Sequence, residues 1–317
     1  MSLRRPRCFH AALTAGLCLA LIACPETPAS DTADPGAPPA APTAESAERQ
    51  APSFDYPGGW LDDDACVDIC GASPGSPVER PPAVVCFDKA DADCASKTGV
   101  DDYDYLMLSQ HWLPSMCLGL EAGYDSTVTH QAGARCTSET SSVLAIHGLW
   151  PNYQAGFPQC CGSALPLDPQ AVRAWPEDLR ARLQAQQPDP TTSDFDAAIC
   201  EIYNHEWQKH GTCFVDTVDT DADARSYFEV GIELADRLAR PTVQLNAWAG
   251  STRRRAEIEA LYPKAVQVLC DSRQEDRLLE IHTCWSRELE MVDCAPTAGF
   301  GALKACGEEV TLPVWAP

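Results

Sequence analysis

Basic charge is scarce in this chain: 23 Lys and Arg stand against 46 Asp and Glu, a net charge of −23 over 317 residues. That shortage excludes holding nucleic acid by a broad basic surface, because such binding neutralises phosphates and releases their counterions. Positive charge that meets an anionic substrate here has to be local. Long apolar runs are missing too. The stretch from Ala11 to Ala23 falls short of the roughly 20 apolar residues that a membrane-crossing helix needs, and no later stretch predicts one. Paired metal knuckles are absent: Cys66 and Cys70 have the spacing of half a zinc ribbon, but no second pair matches it. Asp62-Asp63-Asp64 lacks the alternating ligands and central glycine of an EF-hand loop, so it reads as a solvated acidic face.

Cysteine, by contrast, is plentiful. Arg4, Arg5 and Arg7 before the apolar run have the layout of a secretory leader, residues 1–23. Leu21-Ile22-Ala23-Cys24 resembles the lipobox of bacterial lipoproteins, which implies lipid on Cys24; an ordinary leader is the alternative. Of the 17 cysteines, 14 remain once Cys8, Cys18 and Cys24 are set aside. An even number without metal spacing predicts a disulfide framework in an exported protein, either periplasmic, tethered at the cell surface or secreted. Any membrane contact runs through that lipid alone.

Three further regions are expected. Residues 24–53, rich in Pro and Ala and devoid of aromatics, predict a disordered linker. Residues 54–100 form an acidic, Cys-rich segment in which disulfides supply the order; no function attaches to it. Residues 101–317 are long enough to bury a full core. Strands are predicted over Tyr103 to Trp112, Val143 to Ile146 and Leu278 to Cys284. Helices are predicted over Pro169 to Leu183, Phe195 to Lys209 and Ala222 to Leu238, with another over Ser251 to Tyr262 capped by Ser or Thr. Strands and helices in separate runs predict an α+β fold, an antiparallel sheet core with packed helices.

Seven histidines are present, and two stretches set them beside unusual neighbours: Ile146-His147-Gly148-Leu149-Trp150-Pro151, and His205-Glu206-Trp207-Gln208-Lys209-His210-Gly211-Thr212-Cys213. On a helix stopped by Gly211, Glu206 and His210 share one face, and His205 and Lys209 an adjacent one. Zinc binding wants histidines at i and i+4. His205 and His210 are five apart, about 140° around the helix, so no metal is expected. The set suits metal-free cleavage of a phosphodiester by a neighbouring hydroxyl. Two imidazoles near neutrality act as base and acid, and a lysine stabilises the extra charge of the transition state. A carboxylate beside a histidine keeps it basic and oriented. His111, His130 and His282 have no such partner adjoining them in sequence and are read as structural hydrogen-bonders.

These two stretches resemble the active-site motifs of the ribonuclease T2 family of secreted acid ribonucleases. Gln110-His111-Trp112-Leu113-Pro114, Phe157-Pro158-Gln159-Cys160-Cys161 and Glu280-Ile281-His282-Thr283-Cys284 are fainter echoes. The resemblance implies an endoribonuclease that cuts single-stranded RNA to 2′,3′-cyclic phosphate ends, without cofactor and as a monomer. It implies His210 as the base on the 2′-hydroxyl and His147 as the acid on the 5′-oxygen. Glu206 and Lys209 stabilise the transition state, and His205 contacts phosphate. Trp150 and Phe157 stack bases, and Asn152 stands where many members have Asp, which leaves base preference open. It further implies disulfides Cys284–Cys294 and Cys270–Cys306, with Cys213 bonded to Cys160 or Cys161. The alternative is an inactive extracellular binding protein on the same scaffold; a zinc hydrolase is a weaker third.

Overall fold

The computed structural model describes residues 84–85, 101–123, 135–137, 144–154, 156–161, 166–215, 221–299 and 301–316. The expected leader with Cys24, the linker, the acidic segment apart from 84–85, and His130 lie outside the described residues.

The short strand β1 (Val84–Val85) leads to β2 (Tyr105–Trp112), and helix α1 (Leu113–Glu121) follows directly, with Pro114 in its first turn, where a missing N–H costs nothing. Strand β3 (Leu144–Asn152) runs past His147 rather than ending before it, and β4 (Phe157–Pro158) pairs with β1. Helices α2 (Pro169–Ala174) and α3 (Glu177–Gln186) divide the single helix expected there. Pro176 disfavours helical backbone at Trp175, whose ψ of 156° is extended.

Helix α4 (195–214) starts as Phe195–Ala198, widens into π-type turns at Ile199–Tyr203 and Trp207–Gly211, and ends at Thr212–Phe214. It passes through Gly211 instead of stopping there. Gly211 has an ordinary helical φ of −62°, and a Cβ would stand 2.5 Å from the Trp207 ring and 3.0 Å from Tyr227. This glycine is a close-packing residue and not a terminator.

Helices α5 (Asp221–Arg237) and α6 (Ala239–Ala247) precede β5 (Ser251–Arg254) and α7 (Arg255–Glu259). The helix expected from Ser251 is therefore mostly wrong. Ser251 to Arg254 pair in register with β10 (Glu309–Leu312), and the Arg254 N–H, not a Ser or Thr, is bonded to the Glu257 carboxylate at the helix start. Strands β6 (Gln267–Asp271), β7 (Gln274–Trp285), β8 (Met291–Val292) and β9 (Leu303–Ala305) complete the set.

The fold is α+β. Its eight-stranded sheet runs β3-β2-β7-β10-β5, with β6 and β8 also on β7 and β9 on β6; only the β7–β10 pair is parallel. Leu106, Leu108, Ile146 and Leu149 of the sheet are buried with Ile202, Tyr203, Tyr227 and Ile232 of α4 and α5. Each aliphatic residue so buried contributes roughly 1.5–3 kcal/mol. Strand β3 is an edge, and side chains close it. The Tyr227 hydroxyl donates to Leu149 O and accepts from Leu149 N, Gln187 Nε2 donates to His147 O, and Asn246 Oδ1 accepts from Leu144 N.

Four disulfides join described residues: Cys117–Cys136, Cys161–Cys213, Cys270–Cys306 and Cys284–Cys294. Cys213 thus bonds Cys161 and not Cys160.

Candidate active site

The site begins with an irregularity in the sheet. Ser109 pairs with Gly148 and Gln110 with Ile146, so His147 is an extra residue without a partner on β2. Such a bulge breaks the two-residue alternation and re-aims a side chain. Without it, His147 and Gly148 would face opposite sides. With it, His147 joins the face carrying Ser109 and His111 of β2 and Glu280 and His282 of β7, which pair across the strands as Ser109↔His282 and His111↔Glu280.

His147 lies at the centre. Its Nδ1–H donates to Glu280 Oε1 at 3.0 Å, its ring stacks on His111 with centroids 3.7 Å apart, and Nε2 is 3.4 Å from Glu206 Oε1. Burial and then the His111 charge push its pKa down to about 4, while Glu280 opposes them. His210, from α4, stands 5.2 Å from the Trp150 ring and 6.3 Å from Phe157. Burial, with the Lys209, His205 and His147 charges, holds it well below the usual histidine value.

Glu206 is fully buried, and its Oε2 accepts from Trp150 Nε1 at 2.8 Å. Burial lifts its pKa to about 8 against the Trp150 hydrogen bond and Lys209. It is thus a neutral acid at pH 7, and the carboxylate that orients a histidine is Glu280. Burial pushes Glu280 up, but the charges of His147 and His111 outweigh that and hold it well below the usual carboxylate range. Gly148 makes room for Glu206, since a Cβ there would fall inside its carboxyl.

These groups line a cavity of about 450 Å³ together with His205, Lys209, Asn152 and Phe157, within the size range of small-ligand sites. Trp150 is 9% exposed, its indole N–H committed to Glu206 and its ring bordered by His147, His210 and His282; Phe157 is the more open aromatic. Asn152 Nδ2 donates to Trp150 O. The loop bearing Phe157 is clamped to α4 by Cys161–Cys213, by Cys160 N–H on Lys209 O and by Cys161 N–H on Thr212 Oγ1.

The structure thus brings His147, His205, Glu206, Lys209, His210, Trp150, Asn152 and Phe157 to one cavity. It adds His111 and Glu280 to that lining and places the fully buried Ser109 and His282 on the Glu280 carboxylate; none of the four was expected in the site. The signal was there: Ser109 and His111, and Glu280 and His282, stand two apart and so share one face of their strands. His282 is the structural hydrogen-bonder expected of it, fully buried with Nε2 2.6 Å from Glu280 Oε2 and Nδ1 3.1 Å from Gln267 Oε1. His111, His147 and Glu280 have the composition of a metal-ligand set, their donor atoms within 4.8 Å of one another. The two rings are stacked only 26° from parallel, however, so their Nδ1 lone pairs run side by side. One ring would have to rotate before a shared ion lay in both planes, which tetrahedral ligation requires.

Among known proteins, the model of the ribonuclease T2 family matches residues 103–294. Ribonuclease 3 of Arabidopsis thaliana is 31% identical over 137 residues, 43% of this chain and 53% of that protein, so the match spans about half of the relative. Ribonuclease 1 of Arabidopsis thaliana is 21% identical over 69% of this chain and 90% of its own, and Ribonuclease Oy of Magallana gigas 25% identical over 61% and 88%. The crystal structure of RNase NT in complex with 5′-AMP superposes with a TM-score of 0.49 at 21% identity, over 68% of this chain and 100% of that one. The family match covers more than half of the sequence, and the chain belongs to the ribonuclease T2 family.

Proposed function

We propose that the chain is a metal-independent endoribonuclease that cuts single-stranded RNA by transphosphorylation. The observation that carries this reading is that His147 and His210 both border the Trp150 ring, at 4.9 and 5.2 Å, in one cavity, with the Glu206 carboxyl 3.4 Å from His147 Nε2.

In the first step His210 takes the 2′-hydroxyl proton, the 2′-oxygen attacks phosphorus, and the bond to the 5′-oxygen breaks as His147 Nε2–H protonates it. The products are a 2′,3′-cyclic phosphate and a 5′-hydroxyl. In the second step His147 deprotonates a water that attacks phosphorus, the bond to the 2′-oxygen breaks, and His210 returns its proton to that oxygen, which leaves a 3′-phosphate and restores both histidines. Lys209 supplies a fixed positive charge for the phosphorane, and Glu206, neutral, donates a hydrogen bond to a phosphoryl oxygen without repelling it. His205 contacts phosphate. Phe157 offers a stacking face and Trp150 a second, smaller one, and stacking accepts any base. Asn152 leaves base preference open.

The arrangement also reconciles a chain of net charge −23 with an anionic substrate. Lys209 lines the cleft as a local cation, and His210 becomes a second once it has taken the 2′-hydroxyl proton. The disulfides support an oxidising, exported setting. No helix among the described residues is long and apolar enough to cross a membrane; a lipid on Cys24 would be the tether, and the enzyme acts as a monomer.

The test is incubation of the oxidised protein with RNA and excess EDTA across acidic to neutral pH. Cleavage that survives EDTA and leaves 2′,3′-cyclic phosphate ends, and that is lost in His147→Ala and His210→Ala, is the expected result. Cleavage abolished by EDTA would replace this mechanism with a metal-dependent one.

A further inference from the structure

Glu280 lies on β7, outside both histidine stretches, yet its buried carboxylate meets four side chains. Oε2 accepts from Ser109 Oγ at 2.9 Å and from His282 Nε2 at 2.6 Å; Oε1 accepts from His147 Nδ1 at 3.0 Å and stands 3.2 Å from His111 Nδ1. We propose that Glu280 is the positioning residue of His147: held by Ser109 and His282 on one oxygen, it grips His147 Nδ1 with the other, so that only Nε2 exchanges a proton with the 5′-oxygen. The proposal rests on the ribonuclease reading above.

Hydrogen-bond roles make the hub specific. Gln267 Nε2 donates to Ala295 O, which turns Gln267 Oε1 toward His282 Nδ1 at 3.1 Å. With an amide oxygen on one side and a carboxylate on the other, both His282 ring nitrogens face acceptors, which fixes the ring against Glu280. Together with Ser109 and His147 it surrounds the Glu280 carboxylate with polar partners, because an unpaired buried charge would be costly. A carboxylate can only accept, so His147 Nδ1 must carry a hydrogen. The remaining nitrogen, Nε2, faces Glu206 and the cleft.

The backbone adds a second grip. Gln187 Nε2 donates to His147 O at 2.7 Å, so the bulged residue is held at carbonyl and ring alike. Among the described residues, the charged or titratable groups facing His147 are His111 from β2, Glu280 and His282 from β7, and Glu206 and His210 from α4. Among those that act on His147, the Glu280 charge favours its protonated form, whereas His111 and His282 oppose it.

The experiment compares Glu280→Gln, His147→Ala and the wild type in the full oxidised chain, on RNA and on a nucleoside 3′-(4-nitrophenyl phosphate). The nitrophenolate leaves without a proton, so that substrate does not need the acid. Glu280→Gln is expected to lose roughly 100-fold or more in kcat on RNA, the range of a general acid's contribution, with KM changed less than about twofold. It is expected to stay within roughly tenfold of wild type on the nitrophenyl ester, and its alkaline limb on RNA is expected to move to lower pH, since the favourable carboxylate is gone.

Equal losses on both substrates, or wild-type rates on RNA, would overturn the positioning role. If wild type and His147→Ala cleave RNA equally, the ribonuclease mechanism itself fails, which is a different result. Should Glu280→Gln not fold, judged by far-UV dichroism, Glu280→Asp and Ser109→Ala decide: a larger loss on RNA than on the ester supports the proposal, and a uniform loss overturns it.

Discussion

Gly148 and Glu206 occupy one space: the carboxyl of the helix residue fills the volume a Cβ on the strand residue would need. Because Oε2 of that carboxyl also accepts the Trp150 indole N–H, three residues from two elements hold each other in place.

Gly148→Ala should therefore displace Glu206 and break its bond to Trp150. We expect kcat to fall roughly 100-fold, the scale of losing one preorganised donor, and stability to fall by about 1–3 kcal/mol, as overpacking does. Steady-state kinetics on RNA and urea unfolding measure both. An alanine variant with wild-type kcat would mean that Glu206 is not needed where it stands.

Glu206 should behave as a neutral acid. Its folded pKa of about 8 lies above the unfolded value of about 4.3. The folded state therefore keeps a proton that the unfolded state releases. The stability this contributes is full below about pH 4 and is lost as pH rises toward 8. Buried Asp189, raised to about 6, acts in the same direction. Glu206→Gln should flatten the decline of Tm between about pH 5 and 8 and keep more activity than Glu206→Ala. An unchanged slope in the Gln variant would show an ionised Glu206.

Activity should peak on the acid side of neutrality. The base, His210, is competent while neutral, which its lowered pKa allows well below pH 6.5. The acid, His147, is competent while protonated, so kcat/KM of the free enzyme should decline above about pH 4. An anionic phosphate in the cleft raises His147, so the kcat limb should lie higher than the kcat/KM limb. Lys209→Ala removes a charge that depresses His210 and should move the acid limb to higher pH. A limb that stays in place would mean that His210 is not the base.

The bond between Cys161 and Cys213 closes a sequence separation of 52 residues. Its removal in the Cys161→Ala/Cys213→Ala double variant should cost about 3–4 kcal/mol in unfolding experiments. KM for RNA should rise more than kcat falls, because the loosened loop carries Phe157 rather than either histidine. A kcat loss with constant KM would instead place the clamp's effect on the acid and base themselves.

Local chemistry was legible in the sequence. The two histidine stretches, the even cysteine count and the alternating strands around Trp112 and Leu278 require only near neighbours, and so do the helical spacing of 222–238 and the α+β class. The division of 169–183 at Trp175 was missed, although Pro176 is a local signal for it. Other features were decided by tertiary structure. Ser251 to Arg254 are strand because β10 offers an unpaired edge, and Gly211 continues its helix because Trp207 and Tyr227 leave no room for a side chain. His147 reaches the cleft through a single unpaired residue in the β2–β3 register, and Ser109 and Glu280, 171 residues apart, meet only because β2 pairs with β7. Periodicity reports which side of its own strand a residue faces. Bulges and strand order depend on partners far along the chain, so the carboxylate that holds His147 exists as its partner only once the sheet has formed.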